Sequence, residues 1–202
     1  MIHLRITAVM STPTVGVDTH PSLLDGPLYW AFAQRAKSRG GRMAPTSRAF
    51  APDLPLPLAK WERGDAWGWC VSRAHYEAAS HTALEVRRKP EVPAMVRFGA
   101  DRKMHIGTGP WKARDSLIPV AWMPEIWWDA DVTDPDDLED LLRLITHIGA
   151  RHRAGSGQVA QWSVNPGPID GWRDRPMPDP SGRPMSIRAP HWHPTRSRPC
   201  TP

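Results

Sequence analysis

Proline placement constrains this chain more than any other feature, because proline fixes φ and lacks the backbone N–H that helices and inner strands require. Of the 23 prolines among 202 residues, 14 crowd into two regions. Pro45, Pro52, Pro55 and Pro57 punctuate residues 42 to 64, and ten more follow Asn165, at 166, 168, 176, 178, 180, 184, 190, 194, 199 and 202. The first region is expected to be an irregular insertion over the surface. The second shows no apolar period and is expected to be a tail, residues 165–202, that makes no core of its own and is held by a partner surface through Trp172 and Trp192.

Regular structure is then confined to the remainder of residues 1–164. IHLRITAVM, residues 2 to 10, alternates Ile2, Leu4 and Ile6 with His3, Arg5 and Thr7, the period of a strand with one buried face. DGPLYWAFAQRAKSRGG reads as a helix with Pro27 in its first turn, a stripe of Leu28, Ala31, Phe32 and Ala36, and Gly40 and Gly41 at its end. WGWCVSR, 67 to 73, is expected to be a second strand. Residues 82–115, TALEVRRK followed by the basic, glycine-bearing RFGADRKMHIGTGPWKAR, read as a protruding hairpin or loop. SLIPVAWMPEIWWDAD, 116 to 131, is extended, with a bulge or edge demanded at Pro124.

TDPDDLEDLLRLITHIG carries the clearest helix signal. Asp134 caps, Pro135 starts, Leu138, Leu141, Leu142, Ile145 and Ile148 form the stripe, and Gly149 stops it. QVAQWSV follows as the last strand. With the 82–115 excursion set aside the order is βαββαβ, an α+β, ferredoxin-like (RRM-like) pattern in which two helices cover one sheet face and leave the other available.

The charge of +5 and pI near 9.7 favour a polyanionic partner. Two cysteines, Cys70 and Cys200, with no CxxC pair, supply neither a disulfide framework nor a thiol zinc site. No apolar run suits a signal peptide or a membrane span, so a cytoplasmic protein without membrane contact is expected. His191 and His193, at i and i+2 without a nearby carboxylate or thiol in the tail, are poor metal ligands, and no cofactor is implied. Trp122, Trp127 and Trp128 share one extended segment, so at least one must face away from the helices, toward a neighbouring subunit or a base.

The turn HIGARHRAGSGQ joins flexible and charged residues. Gly149 can close the preceding helix, while Gly155 and Gly157 allow a tight approach to the last strand, which is a purely architectural explanation. Consecutive exposed N–H groups in such a turn also make a concave anion site, and Arg151, His152 and Arg153 would surround a phosphate there.

Gly149, five residues, then Gly155-Ser156-Gly157 resembles the C-terminal glycine-rich loop of the RAMP superfamily of CRISPR-associated proteins, roughly GhGxxxxxGhG with h apolar. It lies between the last helix and strand, where that family has it. His147 stands in place of the first glycine and Ser156 in place of an apolar residue. With the N-terminal strand, Leu23-Leu24-Asp25 at the start of the first helix and the GTGPWKAR segment, residues 1 to 164 are most similar to the small RAMP subunit that caps the 5′ handle of the guide RNA in type IV effector complexes.

That resemblance implies a ferredoxin-like domain and recognition without catalysis. Guide RNA (crRNA) would be held by phosphate contacts and by stacking of unstacked handle bases. The contacts would come from Gly149, Arg151, His152, Arg153, Gly155, Ser156 and Gly157 in the turn, and from Arg87, Arg88, Lys89, Arg97, Arg102, Lys103, Lys112 and Arg114 on the excursion, unless that excursion is simply a solvated charged hairpin. The partners implied are a backbone-forming RAMP subunit and a large subunit, with contact to target DNA left open. The alternative is a metal-independent endoribonuclease that processes precursor guide RNA with a histidine as general acid or base. His20, His75, His81 and His105 lie in loops or at loop edges for such a role, and none has a distinguishing spacing.

Overall fold

The computed structural model describes residues 1–18, 22–41, 47–88 and 114–201. Its centre is a four-stranded antiparallel sheet in the order β4–β7–β1–β8, formed by β1 (Ile2–Met10), β4 (His75–Tyr76), β7 (Glu125–Val132) and β8 (Val159–Pro166). Helix α1 (Asp25–Ser38) follows β1, and helix α2 (Pro135–Leu142) follows β7. Leu4, Ile6, Ala8 and Met10 of β1 point into one core with Ile126, Trp128, Ala130 and Val132 of β7. Leu28 and Ala31 of α1 and Leu138, Leu141 and Leu142 of α2 close it from the helical side. The Arg35 guanidinium and the Asp137 carboxylate tie the two helices together.

Local chemistry sets the helix boundaries. Gly41 N–H reaches Ala36 O at 2.9 Å and Gly40 N–H reaches Lys37 O at 3.1 Å, with Gly40 at φ +75°, a Schellman closure of α1. Asp134 accepts from Asp137 N–H at 3.0 Å and so caps α2.

The end of α2 differs from the expectation. The helix stops at Leu142, and Gly149 lies in the loop beyond it. Ile145 and Ile148 are still buried, but their backbone pairs with the approach to β8: Val159 N–H with Thr146 O, Ile148 N–H with Gly157 O, and Trp162 Nε1–H with Ile145 O. Ile145 N–H still reaches Leu142 O at 2.9 Å, but beyond it these long-range partners replace the helical ones, and the β-branched Thr146 and Ile148 favour the exchange.

The segment expected as the second strand divides. Ala66–Trp69 is β3, paired in a hairpin with β2 (Lys60–Arg63) outside the main sheet, and His75–Tyr76 takes the place beside β7. Pro124 splits the 116–131 stretch into β6 (Arg114–Trp122), which pairs with β5 (Ser80–Arg88), and β7, which pairs with β1. The β5–β6 ribbon is the excursion, and its central residues lie outside those described.

The proline-rich segment folds onto its own chain rather than waiting for a partner. β9 (Met177–Ser186) and β10 (Ser197–Thr201) form a two-stranded ribbon, where each strand has a free edge and proline costs no ladder bond. Trp172, Ile187 and Cys200 pack with Trp61, Ala66 and Cys70 in a second buried cluster, while Trp192 stays exposed. Gly171 lies against the Asp129 side chain, so part of the sheet face expected to be available is covered. Trp127 remains half-buried on that face, stacked on His75 at 5.8 Å.

Among the described residues no helix is long and apolar enough to cross a membrane.

Candidate nucleic-acid interface

The bend between α2 and β8 is fixed at both ends and projects in the middle. Ala150 N–H donates to Val15 O at 2.9 Å and Gly157 N–H to Pro13 O at 2.8 Å. Glycine is required at these anchors: Gly149 sits at φ +88°, where an added Cβ would meet Val15 O at 2.6 Å, and Gly157 at φ +74°, where one would collide with Ile148 O. Between them a 3₁₀ turn, His152–Ala154, carries Arg151, His152 and Arg153, all exposed.

Arg151 adopts the left-handed conformation, φ 63° and ψ 33°, immediately before that turn. A left-handed residue followed by a right-handed one aims successive N–H groups into a shared concavity. The N–H groups of Arg151, His152 and Arg153 have no acceptor among the described residues, and neither guanidinium has a carboxylate within ion-pair distance among them. Three donors and two uncompensated cations therefore converge on one exposed bend, an arrangement suited to a phosphodiester.

The loop that anchors the bend also anchors the ribbon. Thr14 N–H donates to Ala121 O at 2.8 Å, and the Thr14 hydroxyl reaches the same carbonyl at 3.3 Å. Residues 13–15 thus hold the cationic bend and the base of β6 at the end of the sheet where β1 finishes and β7 and β8 begin.

The expected contacts separate on this geometry. Arg151, His152, Arg153 and Gly155 are presented to solvent. Ser156 and Gly157 are buried and shape the bend instead of offering a contact, whereas Gly149 is exposed although its backbone packs against Val15 O. Arg87 is exposed on β5, but its Nε pairs with Glu85 at 2.8 Å and lies 3.8 Å from Asp115, so its charge is shared within the ribbon. Arg88 and Arg114 face each other across the ribbon as backbone partners, with their side chains outside those described. Lys89, Arg97, Arg102, Lys103 and Lys112 lie outside the described residues, as do His20 and His105.

Sequence reasoning missed the flank of the bend. A cleft of about 390 Å³ runs beside it, walled by Pro27 and Trp30 of α1, Ile145 and Thr146, and the His147 and His152 rings. Those two rings stack with centroids 5.2 Å apart. The available signal was Trp30 itself, a tryptophan off the apolar stripe of its own helix, which proves half-exposed.

The histidines of the proline-rich segment serve the fold. His191 bonds Asp25 at 2.7 Å, and His193 bonds Ser47 O at 2.6 Å. Among the described residues no group of three or more His, Cys, Asp or Glu is arranged to hold a metal ion.

Residues 101–200 match the sequence profile of a family described as CRISPR type IV associated protein Csf3. No curated protein matches the chain. The matched stretch holds β7, α2, the cationic bend and β8, and it runs on through the proline-rich segment, past residue 164 where the resemblance was expected to end. The match supports a type IV CRISPR-associated protein with a role in a CRISPR effector complex.

Proposed function

We propose that this chain is a non-catalytic guide-RNA-binding subunit of a type IV CRISPR effector complex, holding the 5′ handle of the crRNA at the cationic bend. The observation that carries this reading is the exposed Arg151–Arg153 turn, with three consecutive unpaired N–H groups and no neutralising carboxylate among the described residues. Those groups recognise backbone phosphate rather than sequence, as suits a subunit of an assembly in which base pairing reads the target. The domain is proposed to be a ferredoxin-like RAMP module. The supporting feature is its antiparallel order β4–β7–β1–β8, with one helix after β1 and one after β7. Companion subunits, a backbone-forming RAMP protein and a large subunit, complete the assembly in this reading.

Purified protein incubated with repeat RNA in EDTA tests it. Salt-sensitive retention of intact RNA is the expected result. Discrete cleavage lost on replacing one histidine replaces this reading with the guide-processing endoribonuclease, and absence of RNA binding at low salt removes both.

A further inference from the structure

The cleft beside the bend has the wrong chemistry for phosphate. Its walls are the Trp30 indole, Pro27, Ile145 and the stacked His147 and His152 rings, with no acidic residue among the lining side chains. At about 390 Å³ it falls in the range of small-molecule pockets and is wide enough for one nucleobase with its sugar. Its rim includes His152, which also belongs to the cationic bend, so a group bound here would be joined to a phosphate held there.

We infer that this cleft takes one unstacked base of the single-stranded RNA whose phosphates lie on the Arg151–Arg153 turn. The inference rests on the RNA-binding reading above and adds the base to it. Aromatic and imidazole faces stack any base, because every base presents a π-face, and flanking cations hold the strand in register. The His152 ring is held at the cleft wall by a hydrogen bond. Gly149 O can only accept, so His152 Nε2 carries the proton of their 2.7 Å bond, which fixes the ring beside the cleft. Thr146 Oγ1 lies 2.9 Å from His147 Nδ1 and steadies the second ring. Charge decides the occupant: a cleft continuous with two uncompensated arginines suits the base of a polyanion better than a neutral peptide side chain.

An abasic scan tests the inference. A labelled single-stranded repeat RNA and a set of copies, each lacking one base, are titrated against the wild-type chain, Trp30→Ala and Trp30→Phe. One abasic position is expected to weaken wild-type binding about tenfold. Trp30→Ala should bind the intact RNA about tenfold more weakly and be insensitive to that same position, and Trp30→Phe should behave as wild type. Wild-type affinity in Trp30→Ala, or an abasic cost that persists in it, overturns the base pocket and leaves the phosphate site standing. Failure of the wild-type chain to bind any of the RNAs at low salt removes the RNA-binding reading and the pocket with it.

Discussion

His191 Nε2–H donates to Asp25 Oδ1 at 2.7 Å, joining the proline-rich segment to the first turn of α1 across 166 positions of sequence. The second oxygen of Asp25 accepts from Ala189 N–H at 2.9 Å, and the carboxylate is fully buried. Burial pushes the Asp25 carboxyl up, but the charge and hydrogen bond of His191, with the charge of Arg175 and the Ala189 N–H, outweigh it and hold the carboxyl below its usual range. A carboxyl lowered in the folded state stabilises fully above its unfolded value near 4, and that stabilisation is lost as pH falls through the folded value. Asp25→Asn is expected to cost about 2 kcal/mol at neutral pH. Urea unfolding of both proteins between pH 7 and pH 3 checks this: the gap should narrow as the solution turns acid, and a gap that stays constant refutes the linkage.

Arg175 is the pin of the same segment. It is 1% exposed, and its guanidinium donates to the carbonyls of Trp69, Val71 and Ile187 while lying 5.4 Å from the Trp61 ring. Arg175→Met fills similar space but leaves those buried carbonyls without their donor, at a cost of about 3 kcal/mol. Cys70 and Cys200 report the result, since both thiols are buried and burial pushes Cys70 up to about 11. The native chain at pH 8 should resist a thiol-specific reagent, and Arg175→Met should react within the same time. Equal resistance in the two proteins would mean that Arg175 does not hold the cluster closed.

Two glycines of the bend separate backbone freedom from close packing. Gly155, at φ +81°, has nothing within 4 Å of an added Cβ, so Gly155→Ala should cost only the left-handed penalty of about 1 kcal/mol. Gly157→Ala would drive a methyl into Ile148 O and break the Ile148–Gly157 pairing that anchors the bend, so it should cost several times as much. Thermal unfolding of the two variants ranks them, and equal losses would show that the anchor is not as rigid as its contacts require.

What the sequence disclosed follows from the range of the forces involved. Asp134 and Pro135 announce α2 because a cap is a contact over three residues, and Gly40-Gly41 announce the end of α1 for the same reason. At least one tryptophan of the 116–131 segment had to leave the helical side, and Trp127 does, since neighbours on a strand point to opposite faces. The end of α2 was not legible, because Thr146 and Ile148 find their partners 13 and 9 residues away, and no local pattern records that. Nor was the fold of the proline-rich segment. Its bonds run from Arg175 to Trp69 and from Arg196 to Ala51, and arginine in a proline-rich stretch ordinarily signals solvation rather than burial. The bend could be read from its glycines, whereas the cleft beside it needs α1, whose Trp30 lies more than a hundred residues earlier.

Arg151 and Arg153 should reveal themselves through salt before anything else. Each phosphate contact with a single strand releases counterions and contributes about 0.7 to the slope of log affinity against log salt. Removing both guanidinium groups in Arg151→Ala/Arg153→Ala should therefore lower that slope by about 1.4 while leaving the fold intact, because both side chains are exposed and neither pairs with a carboxylate among the described residues. Weakening should be similar across RNA sequences, since backbone contacts carry no sequence information. Fluorescence anisotropy over a range of salt concentrations measures the slope, with circular dichroism to verify folding. A double variant that retains the wild-type slope would move the phosphate contacts away from the bend, and the unpaired N–H groups of residues 151 to 153 would then need another explanation.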